Sequence, residues 1–117
     1  MRGRFSADKL KASHMENWVE VGAEEDFHEG LHMKAIGRRQ LVVARLNGRL
    51  FAFDALCPHA QGPMERSEIE GSIVTCPLHA WRFDLESDGK ELHGYRGLAT
   101  YQVKVTDGRV LIDVERP

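Results

Sequence analysis

Residues 41–59 read LVVARLNGRLFAFDALCPH, and this stretch sets the architecture. Residues 41–46 are apolar apart from Arg45, and Val42 and Val43 favour an extended strand. Asn47-Gly48 follows. Between two apolar runs this dipeptide is a strong hairpin signal, because both positions tolerate the positive φ of a two-residue turn. Residues 50–55 are then the return strand, which delivers the chain to Cys57-Pro58-His59. After a gap of sixteen residues comes Cys76-Pro77-Leu78-His79. Cys57 and Cys76 are the only two cysteines, and each has a histidine within three residues.

Working outward, short strands alternate with turn signals. Residues 18–21 form a first strand. Residues 22–29 are polar and acidic, a connecting loop or one short helical turn. In residues 31–36, Leu31, Met33 and Ala35 alternate with His32 and Lys34. On the other side, Glu70-Gly71 turns into a strand at 72–75 that ends at Cys76. Residues 81–85 form another, closed by Ser87-Asp88-Gly89. Residues 100–105 and 109–114 flank Asp107-Gly108, a second hairpin. There Val110, Ile112 and Val114 share one face, with Asp113 and Glu115 on the other. Eleven glycines scattered along the chain disfavour helices. The expected fold class is all-β.

The 117 residues suit one domain. No apolar run approaches the roughly 20 residues of a membrane helix, and no export signal is visible, which points to the cytoplasm. Residues 1–14 are expected to be an expression tag or a disordered arm, with Ser13-His14-Met15 resembling a cloning scar. They hold four basic residues and one acidic residue, so without them the formal net charge moves from −2 to −5. An acidic surface argues against nucleic acid and anionic membrane, and suits a partner with a basic patch.

Two cysteines cannot make a disulfide framework. A Cys57–Cys76 bridge would leave two adjacent histidines unexplained. Zinc is the other Cys2His2 reading, but its structural sites usually group like ligands as Cys-x₂₋₄-Cys and His-x₃₋₅-His. Here each loop offers one thiolate and one imidazole. That arrangement suits a two-iron core with unlike ends. Proline after each cysteine fixes φ and removes a donor, which helps the loop wrap an inorganic core.

The pattern Cys-x-His…Cys-x-x-His resembles the Rieske [2Fe–2S] family, and the run from Cys76 to Asp84, CPLHAWRFD, looks like its second box. The resemblance covers residues 15–117. It implies an antiparallel β barrel or sandwich with an inserted cluster-binding part, here about residues 55–97. It implies that Cys57 and Cys76 bind one iron and His59 and His79 the other. Two ferric ions, two sulfides and two thiolates sum to zero charge, so neutral imidazoles make reduction easier than four thiolates would. Potentials of roughly −150 mV or above follow, against about −400 mV for all-cysteine plant-type clusters. Rieske proteins of quinol-oxidising complexes carry an extra cysteine in each loop, and hydroxyl side chains where this chain has Trp81 and Phe83. Lacking both, this chain resembles the low-potential ferredoxin branch. That branch relays electrons from a flavin or iron–sulfur reductase to a terminal oxygenase acting on aromatic compounds. The expected protein is a carrier with no catalytic residues of its own, its histidine edge facing solvent and its thiolates buried. The small subunit of an assimilatory NAD(P)H nitrite reductase resembles the same fold, and a zinc-stabilised interaction module is the remaining alternative. The resembled family commonly covers its cluster with a proline-containing third loop, where this chain has His93-Gly94-Tyr95-Arg96-Gly97.

Other residues have plainer expectations. His28, His32 and His93 read as surface residues, with His93 placed to tune docking. Trp81 and Phe83 read as packing aromatics. Gln61 and Met64 border the docking face or fill the loop. Gly62 permits a turn near the cluster. Arg38, Arg39, Glu65, Glu68 and Glu70 read as solvated charges.

Overall fold

The computed structural model describes residues 18–58, 62–78 and 80–114. The expected tag at 1–14 lies outside these. Among the described residues all regular structure is antiparallel strand, interrupted by single 3-10 turns. The strands are β1 Trp18–Ala23, β2 Gly30–Ile36, β3 Arg39–Leu46, β4 Arg49–Asp54, β5 Glu68–Glu70, β6 Ile73–Thr75, β7 Arg82–Asp84, β8 Lys90–Glu91, β9 Thr100–Thr106 and β10 Arg109–Asp113. A six-stranded sheet runs β1-β10-β9-β4-β3-β2, and a four-stranded sheet runs β5-β6-β7-β8. The outer strands β1 and β2 approach each other, so the larger sheet curls around its own core. The smaller sheet is wholly inserted between β4 and β9.

Both hairpin signals hold. Asn47 and Gly48 have φ of 54° and 82°, and Asp107 and Gly108 have 53° and 75°. The Glu29 carboxylate accepts the Asn47 N–H at 2.5 Å, which ties the first turn to the chain entering β2.

Strand β3 explains why its sequence is a continuous apolar run. Successive side chains point to opposite faces, and both faces of β3 are covered. Leu41 and Val43 join Phe27, Ala52, Val110 and Ile112 in the core of the curled sheet. Val42, Ala44 and Leu46 point the other way and meet Phe53, Ala55, Met64, Val74, Phe83, Leu85 and Leu98. This second core joins the two sheets, and it contains both Cys57 and Cys76. Each Val or Phe fully buried there contributes roughly 1.5–3 kcal/mol.

Strand β2 departs from its expected alternation. Met33 is 40% exposed and Ala35 is also exposed, while the His32 ring stands edge-on to Phe27 at 5.6 Å and Lys34 lies over the same ring. The buried Phe27 draws the polar side chains of β2 inward, so their aliphatic and ring carbons cover it. Two strands were also invisible in the sequence. β5 is exposed at all three residues and β8 has only two, so neither offers a periodic signal.

Candidate metal centre

The first cysteine loop leaves the large sheet at the end of β4. Asp54 N–H donates to Ala99 O at 3.0 Å and Ala55 N–H to Gln40 O at 3.2 Å, which holds the take-off point on both sides. A short antiparallel neck follows. Met64 N–H bonds to Ala55 O at 2.8 Å, Leu56 bridges Pro63, and Cys57 N–H bonds to Gly62 O at 2.9 Å.

The second cysteine loop closes the β6–β7 hairpin, where Thr75 faces Arg82. Cys76 N–H donates to Trp81 O at 2.8 Å, and Ala80 N–H to Cys76 O at 3.0 Å. Ala80 takes the left-handed conformation with φ of 58°, which turns the chain back into β7.

Neither cysteine is in a disulfide, and both thiols are buried, 0% and 1% exposed, in one shared core. The Cys57–Cys76 disulfide reading is thereby set aside. The two loops meet at Gly62. A Cβ built on that residue would stand 2.8 Å from Cys76 Sγ and 3.2 Å from Leu78 Cγ. Glycine at this position permits the close approach to sulfur. His59, His79 and Gln61 lie outside the described residues. Among the described residues no three His, Cys, Asp or Glu side chains gather as a metal site; the two thiols are the described half of the expected donor set.

A third segment, residues 92–97, lies beside both loops. Tyr95 stands edge-on to Trp81, ring centroids 5.0 Å apart. Trp81 in turn packs on the core that holds the two sulfurs. A cavity of about 440 Å³ separates the first loop from this segment, with Cys57, Pro58, Arg96 and Gly97 in its wall. The segment ends where Leu98 N–H bonds to Gly89 O at 2.9 Å.

Glu91 is the residue that sequence reasoning missed. Its side chain is fully buried. Its Oε1 accepts the backbone N–H groups of His93 at 2.7 Å and Tyr95 at 3.1 Å, and its Oε2 lies 3.1 Å from His93 Nδ1. Burial works to raise its pKa. The Tyr95 N–H, the His93 side chain and the His93 N–H outweigh that and hold the carboxyl below the ordinary value. No sequence signal marks it, because a lone glutamate before a glycine-containing loop normally faces water.

The remaining expectations divide. Phe83 is fully buried and Trp81 half-buried, as packing aromatics should be. Met64 is 0% exposed and belongs to the core beneath the loops, so it does not border a docking face. Its neighbours explain the change: the neck bonds at Ala55 and Gly62 turn this stretch inward. Glu70 pairs with Arg82 at 3.3 Å. Arg39 is not merely solvated, for it donates to Val114 O at 2.6 Å and lies over the Tyr101 ring. His28 and His93 are exposed, as expected, and His32 is half-covered by its contact with Phe27.

Known proteins share this construction. The Rieske [2Fe-2S] domain model matches residues 17–102. The ferredoxin component of the naphthalene 1,2-dioxygenase system of Pseudomonas putida is 36% identical over 101 residues, which is 83% of this chain and 95% of that protein. Among solved structures, the Sphingomonas yanoikuyae B1 ferredoxin superposes with a TM-score of 0.73 at 26% identity, over 83% of this chain and 98% of that one. The reduced complex between oxygenase and ferredoxin in carbazole 1,9a-dioxygenase superposes with a TM-score of 0.75 at 27% identity, over 84% of this chain. There this chain spans 28% of the length of the chain it matches. An all-β fold with one sheet inserted into another, two buried thiols on facing loops and a family match across most of the sequence lead to one assignment: the chain belongs to the Rieske [2Fe-2S] domain family.

Proposed function

We infer that this chain is a ferredoxin-type electron carrier, serving between an NAD(P)H-dependent reductase (flavin or iron–sulfur) and a terminal oxygenase, and is not itself a catalyst. In this reading residues 15–117 are a single Rieske domain with residues 55–97 as its cluster-binding part. One [2Fe–2S] cluster per chain is held by Cys57 and Cys76 on one iron and by His59 and His79 on the other. The protein works in the cytoplasm; among the described residues no helix is long and apolar enough to cross a membrane.

The observation that carries this reading is the meeting of the two loops. The chain's only two cysteines are buried in one core outside any disulfide, and the absence of a side chain at Gly62 lets the first loop rest against the second sulfur. Those donors fit an iron–sulfur centre: thiolates require shielding from oxidants and water, and both are shielded. When bound, the cluster supplies reversible one-electron chemistry at a potential suited to relay. The chain's own contribution is to hold the thiols in place, to exclude water with Phe83, Trp81 and Met64, and to leave Leu78 and Tyr95 exposed beside the loops, at 59% and 61%. An exposed apolar margin of this kind suits brief docking to a partner.

The full-length similarity to proteins named as ferredoxin components favours a carrier over a nitrite reductase subunit. The deciding measurement is electron paramagnetic resonance of iron-loaded protein after dithionite, together with iron and acid-labile sulfide analysis. The expected result is a rhombic signal with two irons and two sulfides per chain. A colourless protein with one zinc would replace this reading with the interaction module. Histidine ligation is tested separately: His59→Cys in an intact cluster should lower the potential by on the order of 100 mV, since it adds negative charge.

A further inference from the structure

Residues 92–97 have no core anchor of their own. Leu92, His93, Gly94, Tyr95 and Arg96 are all exposed, and Gly94 has φ of 90°. A segment like this is ordinarily mobile, because little apolar burial opposes its conformational entropy. Three consecutive amides nevertheless converge on one residue. His93 N–H and Tyr95 N–H donate to Glu91 Oε1, and Gly94 N–H donates to Glu91 O at 3.0 Å. Leu92 N–H donates to Arg82 O at 3.0 Å, which fixes the start of the segment to β7. Successive N–H groups folded around an anion form a nest, and a buried carboxylate so bonded is strongly held. Burying a carboxylate is costly without such bonds.

We propose that Glu91 is the positioning residue of the metal centre's cover: its buried carboxylate locks residues 92–97 so that Tyr95 lies edge-on against Trp81 and shields the second cysteine loop from solvent. The mechanical path is short. Glu91 holds the Tyr95 main chain, the Tyr95 ring meets Trp81, and Trp81 O receives the N–H of Cys76. The link to the metal centre rests on the reading of the chain as a Rieske carrier; the locking of the loop does not.

Amide hydrogen exchange on the intact protein tests the lock. In Glu91→Ala the amides of His93 and Tyr95 should exchange at least tenfold faster, while those of β3 keep their rates. Glu91→Gln retains an Oε1 acceptor and should stay within threefold of the parent. The shielding is tested by potential: Glu91→Ala should raise it, because water reaching the second loop stabilises the more negative reduced form. Tyr95→Ala, a change at an exposed site, should raise it as well. Parental exchange at Tyr95 in folded Glu91→Ala would overturn the lock. A potential unmoved by Tyr95→Ala would overturn the shielding. If Glu91→Ala does not fold, Glu91→Gln decides the first point, since exchange as fast as in an unfolded loop would show that the acceptor geometry is not the cause, and Tyr95→Ala still decides the second. Exchange is read whatever metal the protein carries, so a missing [2Fe–2S] signal in the parent would strike the proposed function and leave the lock standing.

Discussion

The two cysteine loops are written in nearly the same letters, Cys57-Pro58-His59-Ala60 and Cys76-Pro77-Leu78-His79-Ala80, yet they close in different ways. Each is tied by one bond from the cysteine N–H, to Gly62 O in the first and Trp81 O in the second. The second loop turns back by a left-handed residue, Ala80, within a local hairpin. The first loop grows out of the large sheet on its own antiparallel neck, and it also rests against the other loop, where a Cβ at Gly62 would strike Cys76 Sγ. Both loops thus have backbone ties of their own, and they differ in the demand each makes on its sequence: a left-handed residue in the second, a missing side chain in the first. Similar motifs need not carry similar structural risk.

The largest effect expected is shared by both loops. Cys57→Ser and Cys76→Ser should each abolish bound iron and sulfide, and with it the melting-temperature difference between holo and metal-stripped protein, because metal binding free energy is also folding free energy. Retained iron in one of the two variants would show that the loops do not contribute as equals. Gly62→Ala separates them. Inserting a methyl into a closed contact costs about 1–3 kcal/mol, and here the atom displaced is the Cys76 sulfur, so iron content should fall as well as the unfolding midpoint. Normal iron loading in Gly62→Ala would mean that the loops can move apart freely.

A smaller effect concerns the take-off of the first loop. Tyr101 O–H donates to Asp54 Oδ1 at 2.5 Å across β4 and β9. Burial, then the hydrogen bond to Asp54 and its negative charge, push the Tyr101 pKa up to about 12. The folded value lies above the unfolded value of about 10, so the folded state holds this proton more tightly. The stabilisation is complete below about pH 10 and is lost as pH rises towards 12. Tyr101→Phe should cost on the order of 1.5 kcal/mol at neutral pH and should flatten this alkaline loss in urea melts. An alkaline profile identical to that of the parent would reject the account. The smallest effect belongs to the second loop. A left-handed alanine costs roughly 1–2 kcal/mol, and glycine gives back about 0.4–1 kcal/mol through the entropy of the unfolded chain. Ala80→Gly should therefore stabilise by no more than about 1.6 kcal/mol with iron content unchanged; destabilisation would show that the methyl group has a packing role.

Much of this was legible from local chemistry. Asn47-Gly48 and Asp107-Gly108 announced their hairpins because positive φ is a property of the residues themselves. The ligand spacing pointed to its family for a similar reason: donor type and loop length are written directly in the chain. Strands β5 and β8 were not legible, since three exposed residues and a two-residue pair carry no period. For Met64 the sequence left two readings open, docking face or loop filler; its place in the core comes from the neck in which its own N–H bonds to Ala55 O, a pairing with no local signal.

The sequence by itself determined an all-β chain with two thiol–imidazole loops, because turn propensity, strand patterning and donor identity are properties of neighbouring residues. Only the tertiary structure decided that Gly62 must lack a side chain against Cys76, that β3 is buried on both faces, and that Glu91 turns inward to bind the amides of His93 and Tyr95. The first two arise where segments distant in the chain come within van der Waals distance, which happens only once the sheets have closed; the bonds of Glu91 are local in sequence, and what the closed fold adds is the burial of its side chain.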